Sequence, residues 1–119
     1  MSLAMYDASV PVFIRALRIL STLLDKAVAH AEANGIDPAR FVEARLIADM
    51  NPLRSQVQSA SDTSKGAAAR LSGTENPSFA DTETTMAELQ ERIAKTIAFL
   101  EGVDAGAFAG SETRDVVLK

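Results

Sequence analysis

Cysteine and tryptophan are absent from this 119-residue chain, and histidine and tyrosine each occur once. Without cysteine there is no disulfide, no thiolate nucleophile and no Cys-ligated zinc or iron-sulfur centre. The lone histidine, His30, rules out His-x-x-x-His pairs and the paired Glu-x-x-His ligands of di-iron bundles. No serine stands in a Gly-x-Ser-x-Gly elbow, and Lys65-Gly66 and Ser72-Gly73 lack the spacing of a phosphate loop. No metal and no other cofactor is therefore expected. The twelve Lys and Arg residues are scattered through a chain of net charge -4, which leaves no basic stripe for nucleic acid. No apolar run approaches the roughly twenty residues of a membrane span, and the N-terminus lacks the pattern of a signal peptide. The expectation is a cytoplasmic protein that binds neither nucleic acid nor membrane.

What remains is a chain of 47% hydrophobic and 24% charged residues, poor in aromatics and rich in alanine. That composition favours helices, and the length suits a single domain spanning residues 1–119. At about 100° per residue, Val10, Phe13, Ile14, Leu17, Leu20, Leu24, Val28 and Ala31 share one sector of a first helix. Val12, Ala16, Ile19, Leu23, Ala27 and His30 form a second apolar sector beside it. A helix apolar over more than half its circumference is covered on two sides. Ser9 or Asp7 can cap its start with Pro11 in the first turn, and Asn34-Gly35 ends it after about 25 residues. Asp37-Pro38 then opens a short helix through Arg40, Phe41, Val42 and Glu43.

A second long helix runs from about Pro52 to Leu71, started by Asn51-Pro52 and stopped by Ser72-Gly73. Asp49 and Asn51 precede it at its positive end, where capping is their expected role. Its stripe of Leu53, Val57, Ala60, Ser64, Ala67, Ala68 and Leu71, with Ser61 at the margin, is built from small and hydroxyl side chains. Such a face suits close backbone approach, with hydroxyls bonding back one turn. On the other side Arg54, Gln58, Asp62, Lys65 and Ala69 fall together, with Asp62 and Lys65 in mutual reach. That set reads either as a solvated face or as a cleft with perturbed titration.

Thr85-Met86-Ala87-Glu88 has the form of a capping box, and Met86, Leu89, Ile93, Ile97 and Leu100 recur at helical spacing with Thr96 beside them. A third long helix follows, ending near Gly102. The loop before it, Gly73 to Thr84, is long for a helix connection, and Phe79 is placed to pin it to the bundle. After a further turn to Phe108, residues 114–118 have the β-branched character of a strand.

Tyr6-Asp7 and Pro11, Gly35-Ile36-Asp37-Pro38, Arg45-Leu46 with Asp49-Met50 and Pro52-Leu53, and Gln56-Val57-Gln58 carry a family resemblance. So do Asp62 with Lys65-Gly66, Arg70-Leu71, and Asp81-Thr82-Glu83-Thr84-Thr85 ahead of Glu88-Leu89 and Arg92-Ile93. Together they resemble a bacterial domain-of-unknown-function family beside the DinB-like and YfiT-like helical bundles. The resemblance implies a four-helix bundle, often dimeric, whose relatives bind a divalent metal through three histidines and include thiol-dependent transferases. The second long helix here carries no histidine, and the fourth helix that bears one in the family is missing from the sequence.

The expected fold is thus all-α: an up-and-down bundle of DinB-like type with three long helices, the fourth missing, and a short β-like C-terminal tail. The expected function is that of a non-catalytic or small-ligand-binding homodimer joined through the first helix. The alternative is a DinB-like transferase or hydrolase with a polar pocket around Asp62 and Lys65. The candidate ligand-binding residues are Tyr6, Gln58, Asp62 and Lys65.

Overall fold

In a computed structural model describing residues 4–116, the chain forms four α-helices: α1 (Met5–Ala33), α2 (Ala39–Val42), α3 (Leu53–Ser72) and α4 (Met86–Glu101). A 3-10 turn, Ala105–Phe108, follows α4. Among the described residues there is no strand. Arg114 to Val116 are irregular, and Val117 and Leu118 of the expected β-like tail lie outside the described residues.

The run of α1 is longer than its cap signals indicate. It begins at Met5 without a side-chain cap, so neither Ser9 nor Asp7 caps it, and Pro11 sits inside the helix rather than in its first turn. Proline has no N–H to donate to Asp7. One turn earlier the buried Ser9 hydroxyl donates to the Met5 carbonyl at 2.6 Å. Gly35, at φ 67°, ends the helix, with the Ile36 amide returning to the Ala31 carbonyl at 2.8 Å. This is the left-handed stop that Asn34-Gly35 predicts.

Neither Asp49 nor Asn51 caps α3. Its first amide, that of Leu53, instead donates to the Ala44 carbonyl at 2.9 Å. At its other end Gly73 is left-handed (φ 72°), as the sequence predicts. The box at α4 forms: the Glu88 amide donates to the Thr85 hydroxyl at 3.1 Å. The Glu88 carboxylate reaches one residue further back than the standard pattern, accepting from the Thr84 amide at 3.2 Å. The Thr84 amide, with the hydroxyls of Thr84 and Thr85, holds this carboxyl below its ordinary range.

The chain does not simply alternate up and down. Arg18 of α1 meets Glu101, and Ser21 and Asp25 meet Gln90, so α1 and α4 are antiparallel. At one end of the molecule α2 packs against both α3 and α4, and at the other end the 3-10 turn packs against α1 and α3. Helices α3 and α4 therefore run in the same sense. A same-sense pair needs a long return connection, which is why residues 74–85 are extended along the bundle instead of turning tightly.

Val10, Leu17 and Leu24 of α1, Val57 and Ala68 of α3, and Leu89, Ile93 and Leu100 of α4 form the core, closed by Val42 and Phe108. The first apolar sector of α1 is inward, as its spacing predicts. Of the second sector, Val12, Ile19 and Leu23 remain exposed. On α3 the buried set includes Gln58, Lys65 and Ala69 as well as Ser61, Ser64 and Ala68. The face expected to meet solvent or a cleft is covered in part, and what covers it is the 74–85 strap.

Candidate functional site

Three of the four candidate residues, Gln58, Asp62 and Lys65, meet under that strap around Arg92, which is not among the candidates. Arg92 lies on the inward face of α4 between Leu89 and Thr96, and its side chain is 2% exposed. Its Nη1 donates to the Ala80 carbonyl at 3.1 Å, to Asp81 Oδ1 at 2.9 Å and to Glu83 Oε1 at 2.9 Å. Its Nη2 donates to Asp62 Oδ1 at 2.7 Å. Glu83 Oε1 also accepts from Gln58 Nε2 at 3.1 Å. One guanidinium thus ties α4 to α3 and to three successive points of the strap, a task that suits its planar fork of donors.

Lys65 is buried beside this group. Its Nζ donates to Asn76 Oδ1 at 2.9 Å and to the Pro77 carbonyl, and stands 3.9 Å from Asp62 Oδ1. The half-buried Phe79 ring is the apolar centre of the strap, with Lys65, Lys95 and Arg92 nitrogen or guanidinium atoms 5.2, 5.6 and 6.0 Å from its centroid. Phe79 pins the loop as expected, and cation–π attraction contributes to the hold. Burial pushes the Lys65 ammonium below its ordinary titration range, against the opposing pull of Asp62. Burial also works against the charge of Arg92, but hydrogen bonding from Glu83 and the nearby Asp62 carboxylate outweigh it, so its pKa is raised.

The neighbouring hydroxyls are arranged as a relay. Thr96 Oγ1 donates to the Arg92 carbonyl at 2.8 Å, and Ser61 Oγ lies 2.7 Å from Thr96 Oγ1. Thr96 has one hydroxyl hydrogen, so Ser61 donates to it. Both side chains are fully buried, and Ser64 bonds back to Ala60 at 2.7 Å. The Ser61 and Ser64 hydroxyls on the small-residue face of α3 are thus satisfied within the fold.

Tyr6 is not part of this assembly. It sits at the far end of the bundle, its ring edge-on to Phe108 with centroids 5.4 Å apart. His30 is exposed near the end of α1. Among the described residues no group of three His, Asp or Glu side chains is disposed to hold a metal ion. The three-histidine set of metal-binding bundles does not fit a chain whose single histidine is His30.

Three long helices and a long crossover strap define a helical bundle. The chain is similar to a DinB family member protein from Shewanella denitrificans of known crystal structure, with 40% identity and a TM-score of 0.91. The match covers 96% of this chain and 65% of that protein, so the chain spans just under two thirds of its relative's length. Residues 5–119 match the domain of unknown function DUF1993, and the chain belongs to that family. No curated protein matches it.

Proposed function

We propose that this chain is a non-catalytic binding protein that works in the cytoplasm as a homodimer, joined along the outward face of α1. The observation that carries this reading is the exposure of Val12, Ile19 and Leu23 at 54%, 52% and 55%, with Ala16 between them. Spacings of four, three and four residues are those of a two-stranded helical seam. Fully burying such a side chain is worth about 1.5–3 kcal/mol. The acidic, cysteine-free composition supports the cytoplasmic setting.

A transferase or hydrolase centred on Asp62 and Lys65 gains less support. The Lys65 ammonium is closed in by Asn76, Pro77 and Phe79, and Arg92 is tied to four acceptors. That is the chemistry of a clamp, with no free nucleophile beside a base.

Sedimentation velocity at micromolar concentration tests the dimer. The expected result is a dimer that the double variant Ile19→Lys, Leu23→Lys converts to a folded monomer. A wild-type monomer overturns the proposal, including one whose Val12 and Leu23 are protected by other residues of the same polypeptide.

A further inference from the structure

The exposed line on α1 runs Val12, Ala16, Ile19 and Leu23, and its order of spacings reads the same from either end. A helix face that meets a second copy of itself must be its own complement, because a two-fold axis sets the same patch on both sides. Two copies of α1 can lie in the same direction or in opposite directions. The residues on and beside the line decide between them.

In the same direction each residue of the line faces its own counterpart. Ala16 then faces the partner's Ala16, leaving a gap next to the bulky contact of Ile19 with the partner's Ile19, and a gap beside an overfilled level packs poorly. The line also continues at helical spacing into Lys26, which is exposed and forms no ion pair among the described residues. Two like charges would meet within the seam. In opposite directions Ala16 faces the partner's Ile19 and Val12 faces the partner's Leu23, so small meets large at the centre. The axis then crosses the helix between Leu17 and Arg18, and the two Lys26 residues stand about 25 Å apart along the seam at 1.5 Å per residue.

The flanks agree. On the side of α3 the line is bordered by the half-buried Phe13, Leu20 and Ala27, and on the other side by the exposed Arg15 and Thr22. Phe13 and Leu20 line a groove of about 200 Å³ with Ala60 and Thr63 of α3. Opposed helices place the apolar flank of one copy against the apolar flank of the other, with both grooves opening on that side. Helices in the same direction would set Leu20 against the partner's Arg15.

We propose that two copies of this chain pair antiparallel through α1, with Val12 against the partner's Leu23 and Ala16 against the partner's Ile19. The proposal rests on the dimer reading and adds the direction and register of the pairing.

The chain has no cysteine, so one introduced thiol reports one contact. The experiment is oxidation of Val12→Cys, of Leu23→Cys and of their mixture after subunit exchange, read on a non-reducing gel, with sedimentation velocity of each sample. The expected result is a covalent dimer in the mixture and none with either variant alone. In the antiparallel pair like positions lie about 16 Å apart along the seam, beyond the roughly 7 Å between Cα atoms that a disulfide spans. Ala16→Cys mixed with Ile19→Cys, which leaves both ends of the seam intact, is expected to cross-link as well. Self-linking of Val12→Cys or Leu23→Cys overturns the antiparallel pairing and leaves the dimer standing. So does a dimer in sedimentation that none of these thiols links. A wild-type monomer overturns both.

Discussion

Arg92 of α4 and Asp62 of α3 meet at 2.7 Å, with the arginine fully buried and the aspartate 48% exposed. The asymmetry determines what the pair does. Asp62 keeps a hydrated side and loses little on folding, whereas Arg92 gives up its water and depends on its acceptors. Three of those acceptors, Ala80, Asp81 and Glu83, belong to the strap, so the charge that is costly to bury is also the fastening of the longest connection in the fold.

Replacing Arg92 by leucine is expected to release the strap and to destabilise the chain by on the order of 2–3 kcal/mol. Asp62 and Asp81 regain water easily, so most of the loss falls on Glu83, which is 11% exposed. Arg92→Lys should recover only part, because an ammonium cannot span the same fork. Urea unfolding gives the energy, and hydrogen exchange of residues 76–84 shows whether the loss is local. Unchanged exchange in the strap would show that the clamp is not what holds it.

A pH effect follows from Lys65. Burial lowers its folded pKa below the ordinary 10.5, so between those two values the folded state binds fewer protons than the unfolded state. Stability from this group therefore rises with pH across that window and is flat below the folded value. Lys65→Met should remove the rise and leave the rest of the profile intact. Thermal melts of both proteins from neutral pH to just above 10.5 check the sign, and a fall with pH attributable to Lys65 contradicts it.

The sequence made the helices readable because their signals are local: Gly35 and Gly73 at left-handed stops, Thr85 with Glu88 at the box, and the Val10, Leu17, Leu24 stripe. It misled wherever a non-local partner decided the outcome. Gln58 and Lys65 lie on a polar helix face, and nothing in their spacing shows that a strap will fold over them. Tyr6 shares no periodicity with them, and the structure places it apart. Arg92 left a readable trace: a lone cation in an otherwise apolar stripe needs buried acceptors, and Asp81 and Glu83 stand just upstream. The shared direction of α3 and α4 was foreshadowed in the same way, by a connection too long for a tight turn.

The Ser61–Thr96 pair should respond unequally to deletion of its two hydroxyls. Ser61→Ala leaves Thr96 still donating to the Arg92 carbonyl and is expected to cost under about 1 kcal/mol. Thr96→Val strands a fully buried Ser61 hydroxyl and is expected to cost about 1–3 kcal/mol. The double variant Ser61→Ala, Thr96→Val should cost less than the sum, because no polar group remains unpaired. A strictly additive cycle would show that the two hydroxyls do not bond.

Gly66 offers an opposite case, a buried glycine whose replacement should strengthen the chain. It lies inside α3, where glycine is less favourable than alanine by about 0.5–1 kcal/mol. A methyl group there would meet Arg70 Nη1 at 2.7 Å and its Cζ at 3.3 Å, with no backbone in the way. Arg70 is exposed, so its guanidinium can swing into water at little cost. Gly66→Ala is therefore expected to raise the urea midpoint by an amount matching that helix preference, with the slope of the transition unchanged. A lowered midpoint would mean that Arg70 must stay folded over α3, and the double variant Gly66→Ala, Arg70→Ala would then restore the gain.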